Sequence, residues 1–264
     1  MADRYAVIGN PVAHSKSPWI HAEFARATGQ DIEYGRIEAP RGGFAEAALA
    51  FHATGGKGLN VTLPFKEEAF ALCADASPRA RVARAVNTLV LREAVFGDNT
   101  DGVGLVRDLV QNLRVEVKGA RVLLLGAGGA AQGVVGALLE AGVGALVIGN
   151  RTLSRAQVLA ARFPGVAARG FEGLEGNYDI VVNATSAGLA NEAPLLASGL
   201  LRAGVLAYEM VYGRDTPFLA AARAAGARAS DGLGMLVEQA AESFLLWRGV
   251  RPGTRAVLER LRNG

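Results

Sequence analysis

Three groups of residues have the types and spacing that chemistry requires. The first is Gly126-Ala127-Gly128-Gly129-Ala130-Ala131, set between the apolar run Val122–Leu125 and an Ala/Val/Leu-rich stretch reaching Glu140. Between a strand and a helix, the first glycine permits a tight turn and the second lets the backbone approach a pyrophosphate. The third position, filled here by Ala131, keeps helix and strand close. The helix N-terminus adds free N–H groups and the positive end of its dipole. An ordinary glycine-rich turn would use the same residues, but the flanking strand and helix favour a dinucleotide. The second group is Asn150-Arg151-Thr152-Leu153-Ser154-Arg155. An NAD site usually carries a carboxylate roughly 20 residues past the glycines, to accept bonds from the ribose hydroxyls. None stands here. Arg151 suits a 2′-phosphate and Asn150 and Thr152 supply further hydrogen bonds, so the expected cofactor is NADP(H). Otherwise Arg151 simply opens the next helix.

The third group lies in the first hundred residues. Ser15 and Ser17, just ahead of a helix, place two hydroxyls where one carboxylate can take both. Ser17 equally suits a helix cap with Pro18 in the first turn. In Asn60-Val61-Thr62-Leu63-Pro64-Phe65-Lys66, a proline breaks the strand, leaving Asn60, Thr62 and Lys66 at or beyond its end. Ligands of open α/β sheets bind outside the carboxyl ends of strands. Lys66 is also open to the reading of a solvated first-turn residue. Only four of the 28 basic residues are lysine, and a buried lysine, unlike arginine, can release its proton near neutral pH.

The elements that must hold these groups alternate along the chain. Strands are expected at Tyr5–Ile8, Ile32–Ile37 and Gly58–Thr62, with helices after Pro18 and over Gly43–Phe51. Ala85–Val90 and Ala94–Phe96 read as a hairpin. Gly97 to Gly102 reads as a polar loop, and Val103–Leu113 as a helix entering the nucleotide unit. Further strands end in Asn183-Ala184-Thr185 and in Glu209-Met210-Val211-Tyr212, placing Thr185 on a cofactor's path and Val211 and Tyr212 at a nicotinamide pocket. Strands alternating with helices imply a parallel sheet. Asp231-Gly232-Leu233-Gly234-Met235 opens a last helical region whose apolar face is Leu236, Ala240, Phe244 and Trp247, with Gln239 on another face. His14 and His21 read as structural.

Composition narrows the function classes. With 28 basic and 25 acidic residues the net charge is +3, too balanced for a nucleic-acid footprint. No apolar run approaches the roughly 18 residues of a membrane span, and no charged-then-apolar leader opens the chain. One cysteine, Cys73, leaves no internal disulfide, and no Cys/His cluster suggests a metal. A cytoplasmic protein with a small-molecule substrate is expected, without nucleic-acid or membrane partners, as monomer or homodimer.

Taken together these phrases resemble the shikimate dehydrogenases. Ser15-Lys16-Ser17, Asn60-Val61-Thr62 with Lys66, Ala85-Val86-Asn87-Thr88, Asn99-Thr100-Asp101-Gly102, Gly126–Ala131, Asn150-Arg151-Thr152, Asn183-Ala184-Thr185 and Asp231–Met235 stand in that family's order. The resemblance implies an α/β fold with an N-terminal substrate domain and a C-terminal Rossmann-like, doubly wound NADP-binding domain, the cleft lying between them. The expected limits are 1–101 with 233–264, and 102–232. It implies NADPH-dependent reduction of 3-dehydroshikimate to shikimate, on the route to chorismate and the aromatic amino acids. Substrate contacts are implied for Ser15, Ser17, Asn60, Thr62, Lys66, Asn87, Asp101, Tyr212 and Gln239. Cofactor contacts are implied for Gly126, Ala127, Gly128, Gly129, Ala130, Asn150, Arg151, Thr152, Arg155, Thr185, Val211 and Gly232. One departure is Gly213-Arg214-Asp215 after Tyr212, where the family often has Asn-Pro.

Hydride transfer to a carbonyl carbon leaves an oxygen that must receive a proton, so a general acid has to lie within hydrogen-bond reach. Lys66 and Asp101, both expected on loops at the domain boundary, are the pair that fits. An NAD-preferring quinate/shikimate dehydrogenase and a non-catalytic NADP-binding regulator are the alternatives. The missing carboxylate opposes the first, and the Lys66/Asp101 pair opposes the second.

Overall fold

Val122–Leu125, apolar at every position, forms the centre of a parallel sheet and is buried on both faces. Val122 and Leu124 pack into one apolar cluster, Leu123 and Leu125 into another, as the two-residue period of a strand requires. The structure, a computed structural model, describes residues 2–190, 192, 196–197 and 199–263.

Along the chain come β1 (Asp3–Gly9), α1 (Ser17–Thr28), β2 (Ile32–Glu38), α2 (Phe44–Ala53), β3 (Gly56–Val61), α3 (Lys66–Leu72), β4 (Asp75–Ala76), α4 (Pro78–Ala83), β5 (Thr88–Val90), β6 (Phe96–Asp98) and α5 (Asp101–Arg107). There follow β7 (Arg121–Leu125), α6 (Gly129–Glu140), β8 (Ala145–Asn150), α7 (Leu153–Ala160), β9 (Ala167–Gly170), β10 (Ile180–Asn183), β11 (Leu206–Glu209), α8 (Pro217–Ala224), β12 (Arg228–Ser230), α9 (Leu233–Arg248) and α10 (Arg255–Asn263). Among the described residues no helix is long and apolar enough to cross a membrane. The chain divides into two compact units, Met1–Gly104 with Leu236–Gly264, and Leu105–Met235. Both divisions fall within the first turn of a helix, α5 or α9.

In the first unit the sheet order is β2-β1-β3-β5-β6-β4. β1 runs parallel to β2 and β3, while β3, β5 and β6 pair antiparallel. Its core joins Ile8, Leu59, Val61 and Leu89 to Phe44, Phe65 and Ala69 of the helical layer. The hairpin forms, but its second strand is Phe96–Asp98 rather than Ala94–Phe96, with Thr88 opposite Asp98. Asp98, expected in a loop, is a buried strand residue because Arg79 and Ser77 satisfy its carboxylate. Within the same unit α9 packs its apolar face against the sheet. Tyr5 and Trp247 stack at 4.7 Å, Phe24 meets Phe244 edge-on at 5.9 Å, and the Trp247 indole donates to the Leu89 carbonyl at 3.0 Å.

The second unit has the order β12-β11-β10-β7-β8-β9, every pairing parallel. This is a doubly wound sheet whose direction of travel reverses between β7 and β10, and such a switch point opens a crevice at the strand ends. The chain leaves β7 at that point through Gly126. Its φ is +111°, and a Cβ there would lie 3.1 Å from the Ala184 carbonyl, just past the end of β10.

Candidate active site

The residues expected to handle substrate and proton, Tyr212 apart, lie in the first unit. Lys66 begins α3 and Asp101 begins α5, so both open helices rather than sitting on loops. The Lys66 ammonium donates to Asp101 Oδ2, and both side chains are largely withdrawn from solvent, 12% and 6% exposed. Lys66 is therefore a paired group, not a solvated first-turn lysine. Its main chain is anchored where the carbonyl accepts from the Val86 N–H at 2.9 Å, one residue before Asn87.

Asn87 sets the polarity of what surrounds the pair. The Thr100 backbone N–H, which can only donate, points at Asn87 Oδ1 at 2.8 Å. The amide nitrogen must then face the other way, where it donates to Asp101 Oδ1 at 2.9 Å, to Thr100 Oγ1 at 2.9 Å and to Gln239 Oε1 at 3.2 Å. Thr88 Oγ1 also donates to Asn87 Oδ1, at 2.9 Å, and lies 2.8 Å from Ser243 Oγ. One oxygen of Asp101 thus meets a fixed amide donor while the other meets Lys66.

Asn60 is hydrogen-bonded at both ends of its amide. Its Oδ1 accepts from the Tyr34 hydroxyl at 2.7 Å, and its Nδ2 donates to Ser243 Oγ at 2.9 Å, with Thr88 Oγ1 and the Asn87 carbonyl at 3.3 Å. Protein groups thus occupy the amide on both sides. Behind it His21 is fully buried and stacked on Tyr34 at 4.2 Å. Burial depresses its pKa to about 3, which suits a structural, neutral ring.

Ser15 and Ser17 are both buried, and Ser15 Oγ accepts from the Ser17 N–H at 3.2 Å. Ser17 does not cap α1. The capping position belongs to Lys16, which makes no side-chain cap bond, so the Ser17 hydroxyl is not committed to the helix start. Arg36 holds the loop by donating to the Ser15 carbonyl at 2.6 Å. Thr62 follows the end of β3, beside Gly9, where a Cβ would stand 2.4 Å from the Thr62 methyl. Gln239, on α9, is buried, its Nε2 donating to the Leu236 carbonyl at 2.8 Å so that Oε1 faces Asn87.

The residues expected to hold cofactor all follow carboxyl ends of strands in the second sheet. Gly126, Ala127, Gly128, Gly129 and Ala130 follow β7, Asn150 to Arg155 end or follow β8, Thr185 follows β10, Val211 follows β11 and Gly232 follows β12. Gly128 is the N-cap of α6, and a Cβ there would meet nothing within 4 Å. The first intrahelical bond runs from Gln132 N–H to the Gly128 carbonyl, leaving the preceding amides free for an anion. Arg151, Thr152 and Arg155 are exposed, and Thr152 caps α7 without using its side chain. Asn150 Nδ2 shapes this turn by donating to the Thr152 carbonyl at 2.9 Å. A glycine cradle with free amides and an exposed arginine one strand away fit a dinucleotide carrying a 2′-phosphate.

After Tyr212, Gly213 takes φ +72°, a left-handed value that glycine adopts freely, and its N–H donates to Asp231 at 3.1 Å. The departure from Asn-Pro thus makes a tight turn tied to the Asp231-Gly232 loop. A Cβ on Gly232 would lie 2.4 Å from the Met210 carbonyl oxygen.

Residues 7–89 match the family described as shikimate dehydrogenase substrate binding domain, 108–198 match shikimate / quinate 5-dehydrogenase, and 232–262 match the shikimate 5'-dehydrogenase C-terminal domain. The chain belongs to the shikimate dehydrogenase family. Among relatives named shikimate dehydrogenase (NADP(+)), that of Aromatoleum aromaticum is 59% identical, covering 98% of this chain and 97% of its own. That of Methylobacillus flagellatus is 57% identical, covering 98% and 99%. The shikimate 5-dehydrogenase of Thermus thermophilus, solved in complex with NADP(H) and shikimate, is 36% identical with a TM-score of 0.88, covering 99% of each chain. As in other shikimate dehydrogenases, the N-terminal domain is the substrate domain and the doubly wound one binds NADP.

Several residues that complete these sites carried no individual expectation. Thr88 and Thr100 sit inside motif phrases, but only their hydroxyl contacts tie them to Asn87. Ser243 lies one helical turn after Gln239, a spacing that could have marked it. Glu209 closes the apolar run of β11, and a carboxylate in that position was its only sign.

Proposed function

We propose that this chain catalyses the reversible, NADPH-dependent reduction of 3-dehydroshikimate to shikimate in the cytoplasm. The observation that carries the reading is the buried Lys66–Asp101 pair held by Asn87, and the buried hydroxyls of Ser15 and Ser17 suit a carboxylate. Bound NADPH supplies the hydride. As the carbonyl oxygen gains charge, the Lys66 ammonium donates its proton to that oxygen, and the alcohol forms. Asp101 orients the ammonium, and in the oxidative direction neutral Lys66 takes the proton back.

Ser15 and Ser17 are assigned to the substrate carboxylate, and Thr62, Lys66, Asn87, Asp101, Tyr212 and Gln239 to its hydroxyls and carbonyl. Asn60 is assigned a place behind them, fixing Ser243 and the Asn87 carbonyl. Gly126 to Ala130 take the pyrophosphate, Asn150 to Thr152 and Arg155 the adenosine 2′-phosphate, and Thr185, Val211 and Gly232 the nicotinamide end. Loss of NADPH absorbance with 3-dehydroshikimate tests the proposal, run beside NADH and, in the oxidative direction, quinate. Turnover with NADPH well above NADH, and shikimate well above quinate, is expected. An NADH preference or a quinate preference would install the rival dehydrogenase, and no turnover with any pair would leave a cofactor-binding regulator.

A further inference from the structure

Glu209 has no place in the chemistry above, yet it is a fully buried carboxylate at the ligand-facing end of the second sheet. Adjacent strands β10 and β11 place it opposite Asn183. The donors that meet it include no cation. Asn183 Nδ2 reaches Oε2 at 2.8 Å, Thr216 Oγ1 reaches Oε2 at 3.1 Å, and the Val211 N–H reaches Oε1 at 3.2 Å. Burial pushes its carboxyl above the usual range, and the Val211, Asn183, Thr216 and Met210 bonds pull the other way.

The directions of these bonds are fixed. Asn183 Oδ1 accepts from the Thr185 N–H at 3.1 Å and from the Thr185 hydroxyl at 2.7 Å. A backbone N–H can only donate, so the other end of the Asn183 amide must donate to Glu209. One carboxylate therefore ties Thr185, through Asn183, and Val211, directly, into a single frame. The Gly232 N–H joins it by donating to the Val211 carbonyl at 3.2 Å, and Thr216 joins it as the cap of α8.

We infer that Glu209 is a positioning residue for the cofactor, holding the Thr185 and Val211 loops in their receiving arrangement before the cofactor arrives. The inference rests on the proposed cofactor roles of Thr185 and Val211. It makes a directional demand that bulk and burial alone do not. In Glu209→Gln one oxygen becomes an amide donor, which must face either Asn183 Nδ2 or the Val211 N–H, so one loop loses its tether whichever way the side chain turns. In the double variant Asn183→Asp/Glu209→Gln the bond between the two side chains is reversed. The carboxylate introduced at position 183 then still accepts from Thr185, and the remaining amide oxygen at position 209 still accepts from Val211.

The experiment is NADPH affinity, read by cofactor fluorescence, alongside the melting temperature. Glu209→Gln should weaken NADPH about tenfold, the order expected when a buried donor loses its acceptor, and the double variant should return to within about threefold of wild type. Wild-type affinity in Glu209→Gln, with or without a lower melting temperature, overturns the inference, as does a folded double variant that binds no better than the single one. Should Glu209→Gln fail to fold, amide exchange in the unaltered protein decides. Val211 and Thr185 amides protected without NADPH support the inference, and exchange at unstructured rates until NADPH is added overturns it. Arg151→Ala in the same assay separates the two readings. If it weakens NADPH while Glu209→Gln does not, only the inference fails, and if neither variant weakens binding, the cofactor assignment fails with it.

Discussion

In the nucleotide unit the atoms proposed to meet ligand are largely main chain: the amides that start α6, a glycine with φ +111°, and strand ends arranged along one edge of a parallel sheet. In the N-terminal unit they are side chains, and they converge from residues as far apart as Asn87 and Gln239, 152 positions along the chain. The two constructions differ in what protects them. A main-chain site needs few particular side chains but forbids Cβ atoms where backbones approach, as at Gly126 and Gly232. A side-chain site tolerates backbone variety but depends on every donor finding its acceptor, because an unmatched buried group costs about 1–3 kcal/mol. Asp101 and Glu209 show the contrast within one residue class. Asp101 faces an ammonium and a fixed amide, whereas Glu209 faces only neutral donors.

The sharpest break of this comparison is at Lys66. Lys66→Ala should lower kcat by about 10²- to 10⁴-fold, the usual weight of general acid–base catalysis, with KM for 3-dehydroshikimate changing much less. Lys66→Arg keeps the charge but cannot cycle its proton, so it should resemble alanine. Steady-state kinetics decide, and an arginine variant with most of the activity would reduce Lys66 to a substrate holder.

A smaller effect is expected where the main-chain site relies on one side chain. Arg151→Ala should raise KM for NADPH about tenfold or more, since a hydrogen bond to a charged group contributes about 1.5–3 kcal/mol, and should leave KM for NADH nearly unchanged. Equal losses for the two cofactors would mean that Arg151 does not read the 2′-phosphate.

The smallest effect concerns the support behind the side-chain site. His21 has a folded-state pKa of about 3, against 6.5 for a free ring. Between those values the unfolded chain binds the extra proton, so stability is unaffected above 6.5 and falls as pH drops through that window. By linkage the loss at pH 5 is about 2 kcal/mol. Urea midpoints at about pH 7.5 and about pH 5 should fall further for wild type than for His21→Phe, which has no proton to gain. Equal falls would show that the acid sensitivity lies elsewhere.

What could be read from the sequence follows the same division. The glycine loop, the missing carboxylate after β8 and the apolar strand Val122–Leu125 are local features, each contained in a short stretch whose backbone geometry its own residues dictate. The edge strands β9 and β12 were not legible, because Ala167-Ala168-Arg169-Gly170 and Arg228-Ala229-Ser230 are short and pair on one side only, and so carry no apolar run. The Lys66–Asp101 pair was legible as two chemical types. That they meet across 35 residues, each opening a helix, was a matter for the packed structure. So were the Asn60–Ser243 hydrogen bond and the bonds from Asn183 and Val211 to Glu209. Sequence by itself determined the alternating strands and helices and the cofactor cradle, since steric limits and periodicity act over a few neighbouring residues. Only the tertiary structure decided which buried amide faces which carboxylate, because a hydrogen bond's direction is set by the fixed donors around it, and those come from strands and helices far apart in the chain.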